Sequence, residues 1–136
     1  MKVAVIGAGL AGVTVAQKLV SAGMSVTLFD KSKGTGGRLS SRSHLGGWID
    51  HGAPYLTVQG REFESFLRNS PAAESFSSWT PDFNGFPHPA EVSHLVGVPR
   101  NSAITRSLLD GVRFFPSTRI ARLEKAPAGW QLYNGG

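Results

Sequence analysis

The 136-residue sequence predicts an α/β fold built on a parallel sheet, with antiparallel strands added toward its end. Three observations carry that expectation. Val3-Ala4-Val5-Ile6 is a continuous apolar run, as expected of a strand buried on both faces of a parallel sheet. Gly7-Ala8-Gly9-Leu10-Ala11-Gly12 follows at once and opens a stretch in which Leu10, Val13, Ala16, Leu19 and Val20 recur at helical spacing. Val26-Thr27-Leu28-Phe29 then forms a second apolar run, ending in Asp30. Strand, glycine turn, helix, strand and acid, in this order, describe a dinucleotide-binding unit.

Each part has its own physical reason. Gly7 suits a tight turn. Gly9 lets the backbone approach a pyrophosphate, because no Cβ intervenes. Gly12 allows the helix to pack closely on the strand. The unpaired N–H groups of Leu10, Ala11 and Gly12, with the positive end of the helix dipole, favour an anion beside Ala8 and Gly9. Gly23 is placed to end the helix. Asp30 stands 18 residues beyond Gly12, at the carboxyl end of the second strand, where it can accept hydrogen bonds from ribose hydroxyls. A ligand-free glycine turn would account for the glycines but not for the helix, the second strand and the acid together.

The segment after Asp30 bears on which dinucleotide binds. It runs Lys31-Ser32-Lys33-Gly34-Thr35-Gly36-Gly37-Arg38. A second glycine pair followed by an arginine suits a cofactor whose pyrophosphate is gripped from two sides. Gly36 and Gly37 bring backbone close, and Arg38 offers a planar fork to phosphate oxygens. The glycine fingerprint together with Gly36-Gly37-Arg38 resembles the FAD-dependent amine oxidase superfamily. Asp50-His51-Gly52-Ala53-Pro54-Tyr55-Leu56-Thr57 narrows the resemblance to the renalase-like flavoproteins, and it continues through Val96-Gly97-Val98-Pro99 and beyond.

That resemblance implies a Rossmann-like FAD/NAD(P)-binding domain over residues 1–136, with a parallel sheet and an added antiparallel β-meander. It implies noncovalent FAD, with Lys31 next to the ribose acid and Gly52 and Ala53 near the flavin ring. A backbone group just after the Thr118-Arg119 pair of the Thr118-Arg119-Ile120 segment, at Ile120 or directly behind it, would hold the adenine end. It further implies hydride transfer from a small-molecule substrate, a reduced nicotinamide dinucleotide or an amine, to the flavin and on to oxygen. Residues 71–99 would lead into or out of a second, substrate-covering domain. The family's C-terminal segment, with its Gly-Asp motif, has no counterpart here, so the domain is expected to be incomplete, and its catalytic residues remain unassigned. A nicotinamide-dependent dehydrogenase domain and a non-catalytic cofactor-binding fragment are the alternative readings.

Composition excludes several chemistries. Without cysteine there are no disulfides, thiolate nucleophiles or cysteine-ligated metals, and no metal site is expected. The net charge is +5, but the basic residues beyond Arg100 are scattered among apolar ones, so no nucleic-acid surface is expected. No apolar stretch reaches membrane-span length and no signal peptide is recognisable, so the chain reads as soluble and cytoplasmic, with no membrane partner.

The remaining elements follow in order. Leu39 to His44 is polar and aperiodic and reads as loop, with Ser40, Ser41 and Arg42 either extending the phosphate cradle or simply solvated. Gly46-Gly47 is a turn signal, and Trp48-Ile49-Asp50 a short strand. His51, a lone histidine beside a turn, reads as structural rather than catalytic. Arg61 to Asn69 forms a short amphipathic helix presenting Phe63, Phe66 and Leu67. Five prolines between Pro71 and Pro99 disfavour long helices, leaving strands at Ser75 to Thr80 and Val92 to Val98, with a turn at Phe83-Asn84-Gly85. Aromatic residues of this stretch would suit either a flat ring substrate or a core. Asn101-Ser102 can cap a helix through Asp110, closed by Gly111. Val112 to Phe115 reads as a strand. Arg119 to Lys125 alternates as a strand with one wet face, and a turn over Ala126 to Gly129 leads into Trp130 to Tyr133.

Overall fold

The computed structural model describes residues 1–80, 82, 84–85 and 92–135. Strand β1 (Lys2–Ile6), helix α1 (Leu10–Ser21) and strand β2 (Ser25–Phe29) follow the predicted order. β1 and β2 pair in parallel, from Lys2 opposite Ser25 to Ile6 opposite Phe29. Gly23 adopts φ 78° and donates to Val20 O, so a residue without Cβ ends α1 as expected. The third parallel strand, β8 (Arg113–Phe115), lies on the far side of β2, which gives the order β1-β2-β8.

Between β2 and β8 the chain departs from repeating strand-helix units. It forms an antiparallel hairpin of β3 (Ser41–His44) and β4 (Gly47–Asp50), then a three-stranded antiparallel sheet. In that sheet β7 (Ser93–Gly97) is central, flanked by β5 (Leu56–Val58) and β6 (Phe76–Ser78). Helix α2 (Arg61–Arg68) follows β5, and α3 (Ser102–Ser107) follows β7. A final antiparallel hairpin joins β9 (Ile120–Ala126) to β10 (Gly129–Asn134).

One apolar cluster connects these parts. Ala8, Val13 and Leu28 from the parallel unit pack with Leu56, Val58, Leu67, Leu95, Ile104 and Leu108, all buried. Gln17 of α1 lies buried against the turns that follow α3, its amide nitrogen placed to donate to Leu108 O and Asp110 O. Burying these side chains supplies the main favourable term, about 1.5–3 kcal/mol for each large aliphatic residue.

Four expectations change. Ser41 to His44 is a strand rather than a loop; Arg42 to His44 are solvent-exposed, so no period-2 signal was present to reveal it. Its turn residues Leu45 and Gly46 take φ 45° and 78°, as a two-residue hairpin of type I′ requires. The helix expected through Asp110 ends at Ser107, and Leu108 to Gly111 forms turns. Asn101 makes no capping bond with its side chain, which is engaged across the chain.

β1, finally, is not buried on both faces. Lys2, Ala4 and Ile6 are exposed, Ile6 at 50 %, because this face looks across an open cavity of about 610 Å³ to the last hairpin. Leu123 of β9 lines the same cavity with Trp130 and is 48 % exposed. The predicted turn at Phe83-Asn84-Gly85 is described only at its last two residues, with Asn84 N donating to Asp82 Oδ1; Phe83 and Phe86 lie outside the described residues.

Candidate dinucleotide-binding site

The site gathers at the carboxyl ends of β1, β2 and β8, where open α/β sheets place their ligands. Gly7 N donates to Phe29 O at 2.7 Å, and Gly7 takes φ 103°, which turns the chain from β1 into α1. A Cβ on Gly12 would sit 1.8 Å from Gly7 O, so the helix enters closer to the strand than any other residue allows. Gly9 differs. A Cβ there would meet Gly36 O and Gly37 Cα only at 3.9 Å, an ordinary contact, and its φ of −74° suits any residue. Among the described residues no packing contact demands glycine at 9, whereas a ligand lying on the turn would.

The first-turn N–H groups of α1 lack helical partners, and among the described residues no side chain caps them. They form a ready anion site together with the helix dipole. Ala8, whose side chain is fully buried, gives its N–H to Asp30 Oδ2 at 2.6 Å. Ser32 N donates to Asp30 Oδ1 at 2.7 Å. A carboxylate has about four lone-pair positions, so Asp30 retains capacity for ribose hydroxyls. Its backbone joins the third strand as well, with Asp30 N donating to Phe115 O and Thr118 N to Asp30 O. That last bond brings Thr118, and with it Ile120 at the start of β9, to the Asp30 end of the sheet. Lys31 is exposed beside it.

The second glycine segment lies directly against the first. Gly36 N donates to Ala8 O at 2.9 Å, and Gly9 and Gly36 form an isolated parallel bridge. Gly36 has φ 127° and no room for a Cβ, which would come within 2.8 Å of Ser40 Cα. A Cβ on Gly37 would stand 3.2 Å from Gly9 Cα. Arg38 follows with an exposed side chain that forms no salt bridge among the described residues. An anion bridging the α1 N-terminus and Arg38 therefore meets donors from both segments.

Gly52 and Ala53 are brought to the far side of Arg38. Ala53 N donates to Arg38 O at 2.6 Å, and a Cβ on Gly52 would lie 2.0 Å from that oxygen. His51 is exposed, with Nε2 at 3.2 Å from Ser40 Oγ. Among the described residues no three His, Cys, Asp or Glu side chains cluster as a bound metal would require.

Sequence reasoning missed a buried polar set behind this cradle. Asn101, fully buried, accepts from Gly97 N at 2.7 Å through Oδ1. It donates through Nδ2 to Ala53 O and Pro54 O at 2.9 and 3.1 Å. Asp50 Oδ1 accepts from Asn101 N and from Ser41 Oγ, and Ser102 N donates to Ser41 Oγ. Thr105 Oγ1 meets Thr35 Oγ1 at 2.9 Å in the interior. The only sequence signal was an asparagine at a helix start, which has a local explanation as a cap.

This is a Rossmann-like fold, a parallel βαβ unit carrying added antiparallel strands. Residues 5–70 match the family model for an NAD(P)-binding Rossmann-like domain. The 4,4'-diapophytoene desaturase (4,4'-diaponeurosporene-forming) of Staphylococcus aureus strain Newman is 42% identical over 77 residues, 49% of this chain and 15% of the desaturase. The enzyme of the same name from Staphylococcus haemolyticus is 30% identical over 92 residues, covering 60% and 18%. The chain thus spans less than a fifth of the length of these curated relatives. Among solved structures, an oxidoreductase from Methanosarcina mazei superposes with TM-score 0.65 at 15% identity, over 99% of this chain and 57% of its own. A protein of Photorhabdus luminescens subsp. laumondii assigned as a FAD containing monooxygenase gives TM-score 0.57 at 17% identity, over 98% and 35%. Among the described residues no helix is long and apolar enough to cross a membrane.

Proposed function

We propose that this chain supplies the FAD-binding part of a flavin-dependent oxidoreductase of the renalase-like, amine-oxidase kind. The observation that carries the reading is the contact between two glycine segments, Gly9 against Gly36 and Gly37, with Arg38 exposed beside them. A pyrophosphate on this surface is held by the α1 N-terminus from one side and by Arg38 from the other. The room left at Gly9 fits such a ligand, and Asp30 stands where an adenosine ribose would follow. The desaturase relatives and the FAD containing monooxygenase among the structural neighbours support an oxidoreductase that uses flavin.

When bound, FAD supplies hydride acceptance from substrate and reoxidation by oxygen. This chain's residues do the holding: Gly9 to Gly12 and Arg38 the pyrophosphate, Asp30 and Lys31 the ribose, Ile120 the adenine, and Gly52 and Ala53 the side toward the ring. The substrate class is a reduced nicotinamide dinucleotide or an amine. The chain around residues 71–99 leads into or out of the substrate-covering domain, and the protein acts in the cytoplasm.

The match of residues 5–70 to an NAD(P)-binding domain favours one second reading, a nicotinamide-dependent dehydrogenase. Titrating the protein with FAD and with NAD+ or NADP+, followed by flavin fluorescence and calorimetry, separates the two. FAD binding at least tenfold tighter is the expected result. Tighter binding of a nicotinamide dinucleotide overturns the FAD reading.

A further inference from the structure

We propose that α3 positions the second half of the anion cradle, through Asn101 and Thr105. The inference rests on the dinucleotide reading and extends it to residues that touch no ligand. Asn101 and Thr105 stand four residues apart, one helical turn, so their side chains share a face. Both are fully buried although polar. Thr105 reaches one flank of the Gly36-Gly37-Arg38 segment directly at Thr35, and Asn101 reaches the other through Ala53.

On the N-terminal flank, Thr105 Oγ1 bonds Thr35 Oγ1 at 2.9 Å, one residue before Gly36. Thr35 is itself buried, with 9 % of its surface exposed, so its hydroxyl has no water as a substitute partner, whereas Thr105 Oγ1 also lies 3.0 Å from Ser102 O in its own helical turn. On the C-terminal flank, Asn101 Nδ2 bonds Ala53 O, and Ala53 N bonds Arg38 O. Gly52 packs against that same carbonyl. Between these anchors Gly36 and Gly37 take φ 127° and 56°, conformations that glycine tolerates but does not prefer over others. A glycine pair left to itself would sample many geometries. Anchors on both sides restrict it to the one that touches Gly9 and aims the chain at Arg38. Preorganised donors bind better because the ordering cost is met before the ligand arrives.

The same α3 face does not reach the ribose end. Asp30 is held by Ala8, Ser32 and the end of β8. Loosening α3's grip should therefore weaken recognition of the pyrophosphate and spare the nucleoside.

The test compares FAD, ADP and AMP by calorimetry on the native chain and on Thr105→Val, Thr105→Ser and Thr35→Val, each checked by thermal unfolding. Thr105→Val, which removes the bond to Thr35 together with the local one to Ser102 O, is expected to weaken FAD and ADP about three- to tenfold, with AMP within twofold. Thr105→Ser should restore both. Thr35→Val, made from the loop side, carries the same expectation if Thr105→Val fails to fold. Unchanged FAD and ADP affinity in a folded variant overturns the proposal, and so does an equal loss for all three ligands, which marks a merely structural residue. A native chain that binds none of the three overturns the dinucleotide reading itself and the inference with it.

Discussion

Asp30 Oδ2 accepts the buried N–H of Ala8 at 2.6 Å, which ties the end of β2 to the glycine turn across 22 residues. The acid therefore shapes the turn in addition to offering acceptor positions to a ligand. Its other oxygen takes Ser32 N. Removing the carboxylate leaves Ala8 N unsatisfied in the interior.

Asp30→Ala is accordingly expected to lower both stability and affinity. Leaving a buried donor unpaired costs about 1–3 kcal/mol of stability, and a hydrogen bond to a charged group about 1.5–3 kcal/mol of binding. Urea unfolding and equilibrium dialysis with FAD read the two separately. A variant as stable as the native chain would show that the Ala8 bond contributes nothing.

Gly9 and Gly12 should part company when each becomes alanine. At Gly12 the added carbon falls 1.8 Å from Gly7 O, an overlap with backbone that has to move. Overpacking of this kind costs about 1–3 kcal/mol or more. At Gly9 the backbone is compatible and the nearest atoms are 3.9 Å away, so Gly9→Ala should keep or gain up to about 1 kcal/mol of stability. Its dinucleotide affinity should nonetheless drop tenfold or more, on the order of 1.4 kcal/mol. Equal affinities for native and Gly9→Ala would place the ligand elsewhere.

The two faces of the parallel sheet should answer differently to truncation. Leu28 is fully buried beneath α1, and Leu28→Ala is expected to cost about 2–5 kcal/mol. Trp130, across the cavity on the other face, is 64 % exposed. Trp130→Ser should cost under about 1 kcal/mol despite the larger side chain removed. Chemical denaturation midpoints measure both; a costly Trp130→Ser would mean that the last hairpin packs onto the sheet.

Flavin taken up by the protein should leave it intact on heat or acid denaturation, because the chain has no cysteine to form a thioether. The check is the flavin absorbance of the supernatant after the polypeptide is precipitated. Yellow colour retained in the pellet points to a histidyl or tyrosyl link.

Much of this protein was legible from local order alone. The glycine turn, α1, β2 and Asp30 all follow from periodicity and from conformations that only glycine accepts, which are properties of neighbouring residues. The last hairpin was readable for the same reason, since alternation and a glycine turn are short-range signals. What lay beyond the sequence is whatever depends on segments meeting. Ser41 to His44 is a strand because β4 pairs with it, although its residues show no dry face. Gly52 is glycine because Arg38 O occupies the space of its Cβ. Asn101 read as a helix cap, and only the folded chain carries its amide to Ala53 and Pro54, 48 and 47 residues away. The sequence by itself determined the βαβ unit and its glycine turn, because those depend on backbone sterics and spacing. Only the tertiary structure decided that the two glycine segments touch, that buried hydroxyl and amide groups of the α3 segment hold them there, and that one face of the sheet stays open. Such contacts depend on which surfaces long-range packing brings together, and no window along the chain encodes them.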